Sequence, residues 1–468
     1  MTIANQQVQP QNLIAPISSV RIENFRGVRD LEIKLHPHVT VLFGVNAAGK
    51  TTLLDALAIG LGAIVARVPK AKGLSFASHG DIRVPWKDRP EVDETKGIER
   101  RYVRVAITSA TNLTWDVTKY RWVGDRAKAP PGVGVKQLHD ALDPIVEDAL
   151  DGGQQRPIPL VAAYGTERSA VAVPLRKRDF KEDFHRLGAL DASLHMDTRF
   201  KRVFEWFLVA EDEERRERER RKSFSYRHPT LEWVRGAVER AKLRCKNPRI
   251  ETQPLRMVVD FEHTDGSLEA LDIASLSDGY RTHFSLIVDI ARRMVQLNPS
   301  DNLQAPDRGT NSEAVILVDE IDLHLDPTWQ ATVVKGLREA FPNAQLVLTT
   351  HSEQVIGSVP ASSVRKLVAG DGEVLVDSVR FAEGATSERI LIEHMGAKER
   401  AGQVTDGPNT KNLERYLAMV SRGEGESDPA KVLRTDLDAA LPGDEQLQQA
   451  DLEMQKIALL RKLKGDAP

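Results

Sequence analysis

Gly44-Val45-Asn46-Ala47-Ala48-Gly49-Lys50-Thr51 spaces two glycines, a lysine and a hydroxyl in the pattern G-x-x-x-x-G-K-[ST]. That pattern suits a polyphosphate. The glycines let backbone amides curl around phosphate oxygens, and the start of the following helix adds positive field. In such a loop Lys50 reaches the β- and γ-phosphates of ATP and the Thr51 hydroxyl ligates Mg²⁺. Gly44, Asn46, Gly49 and Thr52 complete the expected nucleotide contacts.

A second chemical group ends the run Val315-Ile316-Leu317-Val318-Asp319-Glu320. Four apolar residues predict a buried strand, and the two carboxylates then sit at its C-terminal edge, beside the phosphate loop of an adjacent strand. Asp319 suits the outer shell of Mg²⁺, and Glu320 suits polarising an attacking water. The run "LVLTTHS" ends another buried strand at His351, 32 residues after Asp319. One helix-and-strand unit separates them, so His351 reaches the same sheet edge as a sensor of the γ-phosphate. Leu276-Ser277-Asp278-Gly279-Tyr280 precedes a helix and offers a hydroxyl and backbone amides to an anion. Taken alone it is equally an ordinary helix-start turn.

The elements that must position these groups follow from periodicity. Residues 18–35 alternate around Arg26-Gly27 as a hairpin, 38–44 form a strand, and a helix runs from Lys50 to about Arg67. Residues 68–100 form an exposed insertion whose Lys70, Lys72, Arg83, Trp86, Lys87 and Arg89 suit either nucleic-acid phosphates or solvent. An antiparallel pair follows, then a buried strand within 157–165. From 166 to about 250 the pattern is helical, with Glu211–Arg215, Asp212–Arg216, Glu214–Arg218 and Glu217–Arg221 at i,i+4. Residues 254–273 read as a hairpin turning at Asp265-Gly266, and "PTWQATVVKGLREAF" as one helix.

Domains are expected as a disordered leader (1–17), an ATP-binding lobe with an antiparallel β-subdomain (18–165), and a helical insertion with a short coiled-coil arm (166–253). A second lobe (254–383) and a helical C-terminal adaptor (384–468) complete the chain. Lys+Arg 65 against Asp+Glu 68 leaves no whole-molecule field for nucleic acid. Cys245 is the only cysteine, which fits a reducing cytoplasm. The longest apolar stretch is interrupted by Asp55 and falls short of a membrane span.

In their order along the chain, the phosphate loop, "LSDGY" (276–280), the acidic strand, "LHLDP" (323–327) and His351 resemble the ABC-type ATPase heads of the SMC/RecF group. The resemblance implies an α/β P-loop NTPase, with a mixed sheet core, an antiparallel subdomain and a helical lobe. It implies that Ser277 and Gly279 cap ATP held by a second copy, so that ATP is sandwiched in a homodimer or larger assembly. It also implies nucleotide contacts from Asp326 in the "LHLDP" loop and from Arg26 of "NFRG". The coupling glutamine is not assigned: Gln154 and Gln155 compete with "AYGTERS".

"VAAYGTERS", "DEIDLHLDPTWQ" and the tail from "ERILIEHMGAKERAG" look more narrowly like the Septu and retron-associated ATPases of bacterial anti-phage systems. Those accompany an HNH-type nuclease. The likeness implies a slow, switch-like Mg²⁺-ATPase that senses a trigger and controls a separate nuclease, with retron RNA/DNA or phage DNA as a candidate nucleic-acid partner. A RecF/SMC-like repair ATPase that clamps DNA is the alternative. An intrinsic nuclease is disfavoured by the lack of a metal-ligand histidine cluster. A transporter ATPase is disfavoured by the short arm and by a signature lacking the usual Gly-Gln end.

Overall fold

The structure, a computed structural model, describes residues 14–77, 80–83, 102–153, 156–169, 184–196, 200–370, 373–393, 408–441 and 444–463. Strands β1 (Ile17–Phe25) and β2 (Val28–Lys34) form the expected hairpin, followed by β3 (Val39–Phe43) and helix α1 (Lys50–Val65). Strands β4 (Tyr102–Ser109) and β5 (Thr114–Tyr120), helix α2 (Lys136–Leu150) and strand β6 (Leu160–Tyr164) come next. Helices α3 (Phe200–Arg221) and α4 (Pro229–Arg240) precede β7 (Cys245–Thr252), β8 (Leu255–Glu262) and β9 (Leu268–Asp272). Helix α5 (Asp278–Leu297), β10 (Ala314–Val318), α6 (Pro327–Gln330), α7 (Val333–Ala340) and β11 (Ala344–Thr350) follow. Then come α8 (Glu353–Gly357), β12 (Val364–Gly370), β13 (Glu373–Ser378) and α9 (Ser387–Glu393).

Every residue of β3, β6, β10 and β11 is buried, as continuous apolar runs require of parallel strands covered on both faces. The six-stranded sheet has the order β13-β12-β3-β11-β10-β6, parallel except for the antiparallel β13. Helix α1 is apolar on nearly all faces because it lies between this sheet and the antiparallel sheet β2-β1-β4-β5. The buried Trp115 indole pins it, donating to Gly60 O at 2.9 Å.

Three expectations change. The acidic strand β10 is not adjacent to β3; the histidine strand β11 lies between them. The hairpin of 254–273 gains a third strand, β7, on the edge of the sheet β7-β8-β9. Its sequence, CKNPRIET, hides the alternation because Pro248 falls at a register shift between Lys246 and Arg249. Finally, "PTWQATVVKGLREAF" breaks between α6 and α7 at Ala331-Thr332.

The first half of α3 is buried through Phe200, Val203, Phe204, Trp206 and Phe207, while its last turns are largely exposed. Asp212–Arg216 (2.6 Å), Glu214–Arg218 (2.5 Å) and Glu217–Arg221 (2.9 Å) pair as expected. Glu211 instead turns inward and accepts from Ile250 N at 3.1 Å.

Residues 391–468 form a separate compact unit. There α10 (Pro408–Ser421), α11 (Asp428–Ala440) and α12 (Glu445–Leu463) enclose their own core of Leu413, Tyr416, Val420, Ala430, Leu437, Leu447 and Ala450. Arg434 makes a two-pronged bond to Asp451, at 2.5 and 2.9 Å, which fixes α11 against α12.

Candidate functional site

The C-terminal ends of β3, β10 and β11 meet at one edge of the six-stranded sheet, where the loop 44–50 wraps a cleft of about 530 Å³. Gly27, Asn46, Ala47, Gly49, Lys50, Thr51, Thr52, Glu320, His351 and Val374 line it. Gly49 caps α1 with φ 94°, a left-handed conformation open to glycine at little cost. Lys50 is buried at the cleft floor, where Nζ donates to Gly44 O at 2.9 Å and Val45 O at 3.2 Å. Burial pulls its ammonium below the ordinary lysine range, opposed by Asp319, Glu320 and Asp322.

Asp319 reaches the phosphate loop across β11. Thr51 Oγ1 donates to Asp319 Oδ2 at 2.9 Å, and Thr349 Oγ1 donates to Asp319 Oδ1 at 2.5 Å. Glu320 follows with φ 46°, left-handed for a residue that carries a Cβ. Its N–H donates to Thr349 Oγ1 at 2.7 Å. A hydroxyl and a carboxylate side by side, both oxygen donors, fit a small hard cation that keeps waters and phosphate oxygens as its other ligands. Among the described residues no cluster of three or more His, Cys, Asp or Glu offers another metal site.

The remaining sequence-identified residues lie outside this cleft lining. Ser277 is exposed at the N-terminus of α5, and its side chain makes no capping bond. Gly279 packs against the 323–327 loop so closely that a Cβ there would stand 2.3 Å from His324 O. The Asp326 carboxylate accepts from Thr328 N at 3.0 Å and Trp329 N at 3.3 Å, capping α6. Arg26 bonds Asp55 at 2.5 Å and Asp81 at 2.9 Å, so its guanidinium is turned to carboxylates. Gln154, Gln155, Trp86, Lys87 and Arg89 lie outside the described residues.

Several site residues escaped the sequence reading. His283 sits buried between Gly279 O (3.1 Å from Nδ1) and Ile321 O (2.8 Å from Nε2) and joins α5 to the loop after β10. Burial, aided by the nearby Arg168 charge, lowers its pKa to about 4, so near pH 7 the neutral ring has one N–H and donates to one of these carbonyls at a time. Tyr280 stacks edge-on against Trp329 at 4.6 Å, a second link between the same elements. Arg168, from "AYGTERS", is 1% exposed and bonds the carbonyls of Gly165, Asp319 and Glu320. Burial pulls its pKa down to about 10, which leaves it cationic. In the sequence "AYGTERS" rivals Gln154 and Gln155 for the coupling element without singling out Arg168.

An AAA domain family model matches residues 19–231, and a second AAA domain model, whose description names an AbiEii toxin of a Type IV TA system, matches 153–357. The chain is 26% identical to the Retron Ec83 probable ATPase of Escherichia coli, across 94% of this chain and 86% of that protein. It is 45% identical to the Retron Vc95 probable ATPase of Vibrio cholerae serotype O1 biovar El Tor, over 35% of this chain and 31% of that one. It is 37% identical to the Septu protein PtuA of Bacillus mycoides (strain KBAB4), over 23% of this chain and 13% of that protein. A crystal structure of an Smc head bound to the C-winged helix domain of ScpA overlaps 78% of this chain and 98% of its own at 14% identity, with a TM-score of 0.44.

Proposed function

Given that the chain is an SMC/RecF-like ATP hydrolase related to the ATPases of anti-phage systems, we propose that two copies close around shared ATP. We propose further that this closure controls a separate nuclease effector in bacterial defence. The observation that carries the first part is Ser277: the hydroxyl stands exposed and uncapped, outside the cleft that gathers Lys50, Thr51, Glu320 and His351. A triphosphate held in that cleft needs further donors to be buried, and a second copy offers them through Ser277 and the α5 N-terminus.

In this reading Lys50 and the loop amides bind the phosphates. Thr51 and Asp319 would hold Mg²⁺, which would supply charge neutralisation at the phosphates. Glu320 orients the attacking water by accepting its hydrogen bond, and His351 contacts the γ-phosphate. Loss of that phosphate removes the charge that joins the copies, so hydrolysis acts as a release step. The effector role rests on likeness to the retron and Septu proteins, with residues 391–468 as the adaptor unit.

Light scattering on Glu320→Gln protein with ATP and Mg²⁺ tests the sharing. A stable dimer or larger assembly is expected, and adding Ser277→Arg should leave ATP bound to single copies. Assembly that persists in the double variant refutes sharing between copies. For the effector role, the neighbouring nuclease should co-purify and change activity with nucleotide state; a nuclease indifferent to ATP refutes it.

A further inference from the structure

The carbonyl of Asp319 lies where the backbone pairing of β10 with β6 has run out, and that of Glu320 accepts one turn bond, from Leu323 N at 3.0 Å. The last ladder bond between the two strands is Asp319 N to Tyr164 O at 2.8 Å; beyond it β6 turns away, and Gly165 N bonds Met196 O at 2.7 Å. The buried Asp319 carbonyl needs another donor, and the Glu320 carbonyl has a second lone pair open to one. One side chain supplies both: Arg168 Nη1 donates to Asp319 O and to Gly165 O (2.8 Å), and Nη2 donates to Glu320 O at 2.5 Å. Among the described residues, all hydrogen bonds of this buried guanidinium go to main-chain carbonyls.

The two clamped carbonyls flank the α-carbon of Glu320, the residue with φ 46°. On the other side, the Glu320 N–H is held by Thr349. An L-residue leaves the left-handed region when nothing holds it, because its Cβ crowds the backbone there. Relaxation to an extended backbone would swing the Glu320 carboxylate away from the cleft that it now lines.

We propose that Arg168 is a positioning residue for ATP hydrolysis, whose clamp on the Asp319 and Glu320 carbonyls keeps the Glu320 carboxylate in the phosphate cleft. This rests on the reading of Glu320 as the group that orients the attacking water. A lysine would keep the charge but lose the planar fork that meets two carbonyls at once.

The test compares steady-state hydrolysis and fluorescent-ATP affinity for the full chain carrying Arg168→Gln or Arg168→Lys. Both are expected to lower kcat by about 10- to 100-fold while ATP Kd stays within about 3-fold, as loss of orientation alone would do. In a Glu320→Gln background, either change should alter the residual rate by less than about 2-fold, because the group being positioned is gone. An unchanged kcat, an equal loss of ATP affinity, or losses that multiply would overturn the proposal. If Arg168→Gln does not fold, Arg168→Lys decides by the same measurements. Failure of the underlying reading looks different: Glu320→Gln alone would then hydrolyse ATP at the unaltered rate.

Discussion

One hydroxyl serves both acidic residues of the site: Thr349 Oγ1 donates to Asp319 Oδ1 at 2.5 Å and accepts from Glu320 N at 2.7 Å. Thr349 is fully buried, on the strand that separates β10 from the phosphate-loop strand. One oxygen of Asp319 and the N–H of Glu320 are therefore both held from β11.

Thr349→Val keeps the shape and removes donor and acceptor together. It leaves a buried carboxylate oxygen and an N–H without partners, a loss of about 1–3 kcal/mol. Urea unfolding should show that loss, and kcat should fall with it. Thr349→Ser should restore both.

Lys50→Ala removes the cation at the floor of the cleft. ATP affinity should weaken by about 100-fold or more, equivalent to about 3 kcal/mol. Calorimetric titration checks it, and unfolding stability should change little or rise, since a buried charge is removed.

Gly279→Ala places a methyl 2.3 Å from His324 O, closer than real Cβ contacts allow. The helix gains propensity, yet the 323–327 loop must move, at a net cost of about 1–3 kcal/mol. ATP binding by single copies should survive while ATP-driven assembly is lost. Light scattering with and without ATP separates the two.

Glu211 gives a pH signature. Burial raises its pKa from 4.5 to about 7, partly offset by the Ile250 N–H and then by Arg235. The folded state therefore holds a proton that the unfolded chain has released. Stability declines as pH rises from about 4.5 through 7, by on the order of 3 kcal/mol. Glu211→Gln keeps an acceptor for Ile250 and removes the titration. Its melting temperature should exceed that of the parent at pH 8 and match it near pH 4.5.

Residue types at fixed spacing were enough to pick out the loop 44–51, the acidic pair and His351, which the structure gathers at one sheet edge, because the buried strands that carry them are continuous apolar runs. The strand order was not legible. β3, β6, β10 and β11 all read alike, and pairing among equally apolar strands is settled by packing of the whole sheet. Pro248 concealed β7 because an edge strand can absorb a proline and a bulge that a central strand cannot.

The sequence by itself determined which groups could meet a nucleotide: Lys50, Thr51, Asp319, Glu320 and His351. Only the tertiary structure decided what holds them. Arg168, Thr349 and His283 act on backbone carbonyls and amides, and such partners leave no trace in residue type or spacing. A side chain that bonds another segment's backbone is specified by where that backbone passes, and the folded chain alone establishes that.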